Sequence, residues 1–368
     1  MTLDDISIIR FLPYTFSCKV NLFYLATHLK VNFMAGFIQF TISRAVMALF
    51  TLFAVSLIVF SLMELVPGNC AERYLAYKNT QGGTITVSDL AAEERRLGLD
   101  KPFIIRWATW IGNVAFRGEF GDSCILRLNI NDLLKDKFWI SLGICMAALL
   151  VSYAIAIPVG ILAASSNNPV ANQSLRFVSY LGLALPNFLL ALIIMLTSTV
   201  LFGDSLTGLF SKEFRDAAWS WPRFVDFASR AWLPIIILGW SATAFALQTV
   251  RALMLDEIGK LYVTAASARG IFGSRLLWRY PARHALGPVV NSLGFDLNRI
   301  FNELPIVALI LTLTESGALL IEALARSNDQ QLAGAIIFLL TASIVFMNFT
   351  TDILLAILDP RIRQGLIT

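Results

Sequence analysis

The 368-residue chain has few of the residues from which catalytic and metal sites are built. It contains two histidines, His28 and His284, and four cysteines with no CxxC pair. Zinc and haem sites take most of their ligands from these residue types, so the sequence gives little support to either. It also lacks a GxxxxGK[ST] phosphate loop and therefore cannot hydrolyse ATP by that route.

Charged residues are scarce as well. They make up 15% of the chain, whereas 57% of it is apolar and the mean hydropathy is +0.70. Soluble domains contain about a quarter charged residues, so an ordinary globular protein is excluded. The net charge of +4 is small, and the basic residues cluster between apolar runs. Membrane topology explains that placement better than a nucleic-acid partner does.

The sequence does contain six apolar runs that are long enough to cross a bilayer. They lie near Ala45–Leu65, Phe138–Ala164, Phe177–Phe202, Trp232–Leu255, Leu286–Leu313 and Leu332–Leu358. One such run is often a buried core helix, but six leave no soluble core to bury them. We therefore predict an all-α polytopic membrane protein with six spanning helices. Internal prolines are compatible with this because neighbouring helices can satisfy the freed carbonyls.

Lysine and arginine positions predict the orientation. The connection at 256–285 and the C-terminal DPRIRQGL are basic, which favours the cytoplasmic side. Six spans then place both termini in the cytoplasm and a large loop, 66–137, outside. The other outward loop, 203–231, weakens this assignment because it contains four basic residues, Lys212, Arg215, Arg223 and Arg230.

Residues 1–33 do not fit the pattern. They mix apolar and basic residues and lack a small-residue cleavage site, which disfavours a secretory signal. Two interpretations stay open, an interfacial segment or a start codon assigned too far upstream, with Met34 as the natural beginning. The main domain is predicted to cover 34–368.

The most informative segment is YVTAASARGIFGSRLLWRYPARHALGP, Tyr262–Pro288, which contains no acidic residue. Its small residues would let a partner approach closely, and its arginines could meet an acidic groove or lipid headgroups. Arg275, Arg279 and Arg283 are four apart, so one helix would align them on one face. Charge alone favours a plain cytoplasmic loop. The small residues and Gly270 favour a helical hairpin that binds a partner.

This segment resembles the cytoplasmic EAA loop of ABC-importer permeases, in which Glu-Ala-Ala is followed after three residues by Gly. Here Thr264-Ala265-Ala266 stands in register with Gly270, and YVTAASARG resembles the YVRTARAKG form of the dipeptide/oligopeptide/nickel permease family. Further resemblances follow in family order at VPG (66–68), RRLGLDKP (95–102), EFGDS (119–123), LPNF (185–188), Asn348 with Asp352, and LDPRIR (358–363).

The chain departs from the family pattern in three places. Thr264 replaces the EAA glutamate, and Pro281 interrupts the basic element that follows. The E-x-x-F-x-x-PG-x-G element is eroded: Ala308 stands for its glutamate and Thr314-Glu315 for its Pro-Gly, so that only Gly317 remains. We expect the outer end of the fifth span to differ accordingly.

The resemblance implies a six-helix ABC importer domain in a bacterial inner membrane, surrounded by lipid and without a cofactor of its own. Its implied partners are a second homologous permease, two ATPase subunits that bind ATP-Mg, and an extracytoplasmic solute-binding protein. The solute would be a peptide or peptide-like compound. The long outward loop and LDEIGKLYV suggest the subgroup that imports antibiotics such as microcin C. ATPase coupling would fall to the 256–285 loop, through Tyr262, Thr264, Ala265, Ala266, Arg269, Gly270, Arg275 and Arg279.

The fifth span contains charges at membrane depth, in FDLNRIFNELP (295–305). Asp296, Arg299 and Glu303 are three and four apart and share one helix face, with Asn302 beside them. Each charge costs about 2.5–3.5 kcal/mol in a bilayer and normally faces the bundle interior or water. A polar lining of the solute path and an ion network that braces helices both stay open, with a slight preference for the path. In the sixth span, Asn348 and Asp352 are assigned to bracing.

Two questions stay open on the sequence alone. The intramembrane carboxylates would also suit a carrier or channel driven by an ion gradient, although no internal repeat is visible. Cys70 and Cys124 both fall in the outward loop, where an oxidising compartment permits a disulfide. Nothing in the sequence shows that these two cysteines meet.

Overall fold

The structure is a computed structural model that describes residues 14–65, 68–80, 82, 86–166, 168–203, 207–215, 217–313, 315–327 and 329–358, with side chains of the first helix from Gly36 onward. The described helices, in chain order, are α1 (Tyr14–Leu65), α2 (Cys70–Thr80), α3 (Val87–Leu97), α4 (Phe103–Arg117), α5 (Ile130–Ser165), α6 (Pro169–Ala184), α7 (Asn187–Phe202), α8 (Trp221–Ile258), α9 (Leu261–Ala268), α10 (Gly273–Arg279), α11 (Pro281–Ile310), α12 (Ser316–Ile321) and α13 (Gln330–Leu358). A π-helical turn, Glu322–Arg326, follows α12.

The predicted all-α membrane architecture is confirmed. Four helices are long and apolar enough to cross a bilayer, namely Gly36–Leu65 of α1, α5, α8 and Gln330–Ile357 of α13. Each contains one of the predicted spans. Helix α11, which carries the predicted fifth span, has 30 residues and is also long enough. It is less apolar because it contains the charged face of Asp296, Arg299 and Glu303.

The predicted third span, Phe177–Phe202, is wrong as a continuous helix. Helices α6 and α7 meet at 98° around a break at Leu185 and Pro186. Proline has no amide hydrogen, and its ring pushes the preceding residue out of the helical conformation. Leu185 is extended accordingly, with φ −90° and ψ 118°. The described part of the chain therefore contains four apolar spans, or five if the bent pair counts as one, in addition to α11.

Helices α5 and α8 form the centre of the bundle, and α11 packs against both. At Gly239 an added Cβ would lie 2.7 Å from Ser152 Oγ, and at Gly160 it would lie 2.8 Å from Val250 Cγ1. Glycine at these two crossings lets the backbones approach closely, as is typical of helices that associate in lipid. Helix α13 packs between α11 and the peripheral α1.

The predicted outward loop, 66–137, is largely helical and is closed by a disulfide. It contains α2, α3 and α4, and α5 already begins at Ile130. Cys70 and Cys124, whose pairing the sequence left open, form a disulfide with their Cα atoms 5.4 Å apart. Arg127 stacks on the ring of Tyr74 at 3.5 Å and forms an ion pair with Glu93 at 2.7 Å. These contacts hold the part of the loop around Cys124 and Arg127 against α2 and α3.

Asp329 joins this segment to the last helix. Its side chain is 1% exposed and accepts hydrogen bonds from the backbone amides of Cys124 at 3.2 Å and Ile125 at 3.3 Å. The hydroxyl of Ser123 donates to the same carboxylate. Asp329 also accepts from the amide of Leu332 at 3.0 Å, so it caps the first turn of α13 while holding the loop.

Candidate functional site

The basic segment folds as a helical hairpin at one end of the bundle. Helices α9 and α10 are joined by a turn at Gly270, which has φ +84°. Side chains are strained in this conformation, so glycine is the residue that suits the turn. The Gly270 amide donates to the Ser267 carbonyl at 2.9 Å and closes the end of α9. We call residues 261–279 the coupling hairpin.

The prediction that three arginines share one helix face is wrong. Helix α10 ends at Arg279, Tyr280 leaves the helical path with ψ −77°, and α11 begins at Pro281. The proline that interrupts the family pattern thus starts a new helix and places Arg283 on it. Arg275 and Arg279 remain together on α10, and both are exposed.

Most of the candidate coupling residues lie on the surface of the hairpin. The exposed ones are Thr264, Ala265, Arg269, Gly270, Arg275 and Arg279, whereas Tyr262 is half-buried and Ala266 is buried. The sequence reasoning missed three exposed apolar side chains beside them: Leu261 at 87%, Phe272 at 68% and Trp278 at 46%. Their presence as large apolar residues in an otherwise basic loop was the sequence signal that could have indicated them. Cationic and apolar groups together suit a protein partner better than water.

Tyr262 fastens the coupling hairpin to two long helices. Its hydroxyl donates to the Glu257 carboxylate at the end of α8, and its ring lies edge-on to that of His284 on α11, with centroids 5.2 Å apart. Burial and this hydrogen bond raise the pKa of Tyr262 to about 12, so the hydroxyl stays protonated and donating at neutral pH. A displacement of the hairpin would therefore move α8 and α11 with it.

The charged face of α11 divides into two parts. Asp296 is fully buried and accepts a hydrogen bond from the hydroxyl of Tyr153 on α5. Arg299 Nε lies 3.8 Å from Glu303 Oε1, and both side chains are about one-third exposed. Asn302 is exposed and donates to Asn298 Oδ1 at 3.2 Å. Among the described residues, the ion pairs do not include Asp296 with Arg299. The three charges therefore form a pair and a separate acid, instead of the network of three that the bracing alternative supposes.

The polar residues of α13 contact two neighbouring helices. Asp352 lies 3.4 Å from Arg44 of α1. Asn348 sits against Gly294 of α11, where an added Cβ would lie 2.0 Å from Asn348 Oδ1. Both contacts join helices, which agrees with the bracing role. The tail LDPRIR and Val66-Pro67 of the VPG match lie outside the described residues, apart from Leu358.

The sequence matches a known family of membrane transport proteins and several named permeases. Residues 156–364 match the protein family described as "Binding-protein-dependent transport system inner membrane component", and residues 37–126 match the family of its N-terminal region. The oligopeptide transport system permease protein AppB of Bacillus subtilis is 26% identical over 334 residues, covering 90% of this chain and 100% of AppB. The dipeptide transport system permease protein DppB of Escherichia coli K12 is 26% identical over 350 residues, covering 89% and 99%.

Two further similarities differ in extent. The peptidoglycan transport system permease protein YejB of Agrobacterium fabrum is 29% identical over 273 residues, covering 73% of this chain and 74% of YejB. Among solved structures, a chain of the MetNI methionine ABC transporter in an inward-facing form matches with a TM-score of 0.50 and 16% identity. It covers 62% of this chain and 96% of that one. At this identity the structural match shows a common fold.

Proposed function

Because the chain belongs to the family of binding-protein-dependent transport system inner membrane components, we propose that it is the permease subunit of an ATP-driven importer for peptides or peptide-like solutes. The chain is a multi-pass protein of the inner membrane. Support for the solute class comes from AppB and DppB, which are named as oligopeptide and dipeptide permeases and align over nearly their whole length. YejB, named for peptidoglycan transport, extends that class to peptide-bearing cell-wall compounds.

The proposed assembly contains a second, similar permease, two ATPase subunits and an extracytoplasmic solute-binding protein. ATP-Mg would bind to the ATPases, and both termini of this chain would lie in the cytoplasm together with the coupling hairpin. A carrier driven by an ion gradient is not favoured, because the matched family consists of components of binding-protein-dependent systems.

The coupling hairpin is the observation that carries this proposal. Its exposed arginines and apolar side chains would sit in a groove of an ATPase subunit. The contacts of Tyr262 with Glu257 and His284 would pass the motion of that subunit to α8 and α11 as a rigid-body displacement. ATP binding then needs only to favour one bundle conformation over another.

A substitution at Gly270 tests the coupling. Gly270→Asp introduces a side chain at φ +84° and a negative charge at the tip of the hairpin, and we expect loss of ATPase association and of uptake. Gly118→Asp is the matched control, because Gly118 lies in the predicted outward loop at the end of α4, with a similarly positive φ of +68° and nothing within 4 Å of an added Cβ. The measurement is co-purification of ATPase subunits with the tagged chain, together with peptide uptake. Normal association and uptake in Gly270→Asp would show that the hairpin is not the docking site.

A further inference from the structure

Glu315 is buried at the end of the bundle opposite the coupling hairpin. It lies between the end of α11 and the start of α12, and it is 1% exposed. Its Oε2 accepts from the amide of Gly317 at 2.7 Å, and its Oε1 accepts from the amide of Ala318 at 2.9 Å. The hydroxyl of Ser141, on α5, donates to the same carboxylate. One side chain therefore caps α12 and ties it to α5.

Ser141 is held a second time by α12. The hydroxyl of Ser316 lies 2.5 Å from Ser141 Oγ, and the amide of Ser316 donates to it at 3.1 Å. Glu315 stands where the resembled family has the glycine of its Pro-Gly, a residue without a side chain. In this chain the position instead carries a carboxyl group that closes a ring of hydrogen bonds with Ser141 and α12.

The chain that follows Glu315 is also fixed by a buried carboxylate at its other end, just before α13. Asp329, one residue before α13, is bonded to Ser123 and to the two amides that follow Ser123, as described above. Two buried carboxylates, each bonded to a serine hydroxyl, therefore stand at the two ends of residues 316–326. We call these residues the gate segment.

The gate segment has room beside it and an irregular backbone within it. A cavity of about 240 Å³ separates it from the end of α11 and is lined by Ala308, Leu309, Thr312, Leu313, Ala318, Ile321 and Glu322. The segment ends in a π-helical turn, a feature often found at functional sites. Thr312, just before the segment, has φ +50°, which is unfavourable for a β-branched residue. A segment fixed at its ends but loosely packed along one side can move as a unit once an end is released.

We propose that the gate segment closes the solute path at the end of the bundle opposite the ATPases. Glu315 and Asp329 are positioning residues that hold it shut through Ser141 and Ser123. This inference rests on the proposed function, because transport requires the path to open at both ends in turn. Release of Ser141 would uncover its face of α5. Cys145, which is fully buried, lies four residues further along that face.

Cys145 provides a native reporter for the gate. With Cys70 and Cys124 joined, Cys18→Ser leaves Cys145 as the one free thiol of the chain. The assembled transporter in right-side-out membrane vesicles is treated with a membrane-impermeant methanethiosulfonate, and labelling of Cys145 is followed by mass spectrometry. We expect Glu315→Gln and Ser141→Ala to speed labelling about tenfold, since each weakens or removes the hydrogen bond between Ser141 and the Glu315 carboxyl group.

Asp136→Asn is the matched control for labelling. It removes an exposed carboxylate from α5 near Ser141 and so changes the local charge without touching the ring. Its labelling rate should equal that of the parent. Equal rates for Glu315→Gln, Ser141→Ala and the parent would overturn the proposal. If Glu315→Gln fails to insert into the membrane, the labelling of Ser141→Ala and the cross-link described below test the proposal instead.

A reversible cross-link distinguishes a gate from a static joint. Ser141→Cys and Ser316→Cys are combined with Cys18→Ser and Cys145→Ala, because the two hydroxyls already touch. Oxidation should abolish uptake, and a reductant should restore it. The Cys18→Ser, Cys145→Ala parent, treated identically, controls for reduction of the native disulfide. Full uptake by the oxidised protein would contradict the gate.

The two experiments also separate this inference from the proposed function. Labelling of Cys145 requires neither a known solute nor ATP. If the chain were not coupled to an ATPase, Gly270→Asp would leave uptake unchanged while the labelling difference would persist. If the gate were wrong, uptake would still depend on Gly270.

Discussion

The hydroxyl of Tyr153 donates a 2.5 Å hydrogen bond to Asp296 Oδ2 and so links α5 to α11 in the middle of the bundle. Tyr153 also lies 2.9 Å from Ser292 Oγ, one turn earlier on α11. Asp296 Oδ1 has no partner among the described residues. Among the described residues, Tyr153 is thus the side chain that donates a hydrogen bond to Asp296. A substitution of Tyr153 therefore tests how much this contact contributes to the packing of α5 on α11.

Tyr153→Phe should destabilise the protein without changing its shape. The substitution removes one hydroxyl and leaves Asp296 buried without its donor, at a cost of about 1–3 kcal/mol in the free energy of unfolding. Thermal unfolding of the purified protein in detergent measures this effect. Tyr180→Phe is the control, because Tyr180 on α6 is 61% exposed. Equal midpoints for the two variants would show that the Tyr153 contact contributes nothing.

Arg299→Gln distinguishes the path from the brace. The Arg299–Glu303 pair is long and partly exposed, so breaking it should cost under about 1 kcal/mol and leave the amount of folded protein nearly unchanged. We expect uptake to fall nonetheless, since the pair would line the solute path. Arg230→Gln breaks a matched i, i+4 pair, with Asp226 on α8, and should leave uptake normal.

A triple substitution completes this test. Asp296→Leu, Arg299→Met and Glu303→Leu replace the charged face by apolar packing, which often costs little when ionic groups serve only as a brace. If this variant assembles and takes up peptide normally, the charges of α11 are not part of the path.

The disulfide should stabilise the outer segment. A bond between Cys70 and Cys124 restricts the unfolded chain over a sequence separation of 54 residues, and removing it should cost about 2–4 kcal/mol. We expect Cys70→Ser with Cys124→Ser to lower the thermal midpoint. A reductant should lower the thermal midpoint of the wild type to the same value and leave the midpoint of the double variant unchanged. Recovery of both cysteines as free thiols from non-reduced protein would contradict the pairing.

Residues 1–33 should be dispensable for transport. Helix α1 begins at Tyr14 and crosses the predicted boundary without a break. Its apolar part, Gly36–Leu65, has 30 residues and is about 45 Å long, which exceeds the roughly 30 Å of a bilayer core. Expression from Met34 should therefore give full membrane insertion and uptake. Loss of either would show that the N-terminal residues, of which 1–13 lie outside the described residues, are a necessary element.

The apolar runs predicted the long helices because burial in lipid demands length and composition, and both can be read from the sequence. The bend at Leu185 was less accessible. Pro158 and Pro234 lie inside continuous helices, so a proline alone does not decide between a kink and a break. Helix α6, which precedes the break, packs against α8, and no local sequence pattern shows that contact.

Glu315 shows a different limit of sequence reasoning. The eroded motif predicted that the outer end of α11 would differ from the family, and Glu315 is buried at that end. The sequence could not indicate that a carboxylate would be buried, because its side-chain hydrogen-bond partner is Ser141, 174 residues away along the chain. The hydrogen bond between Ser123 and the buried carboxylate of Asp329 likewise joins residues that are 206 positions apart. Polar contacts of such range depend on the assembled fold and leave no local pattern.

The contact between Ser123 and Asp329 also bears on how the protein is made. Cys70 and Cys124 are both synthesised before α5, so the segment between α1 and α5 can close on itself before most of the polypeptide has been made. Asp329 arrives about 200 residues later, with the last helix. At a translation rate of roughly 5–20 residues per second, the early segment must wait for at least about ten seconds with the amides of Cys124 and Ile125 unpaired. Completion of its structure thus reports that the final helix has inserted, and a truncated nascent chain would expose that unfinished surface to quality control on its side of the membrane.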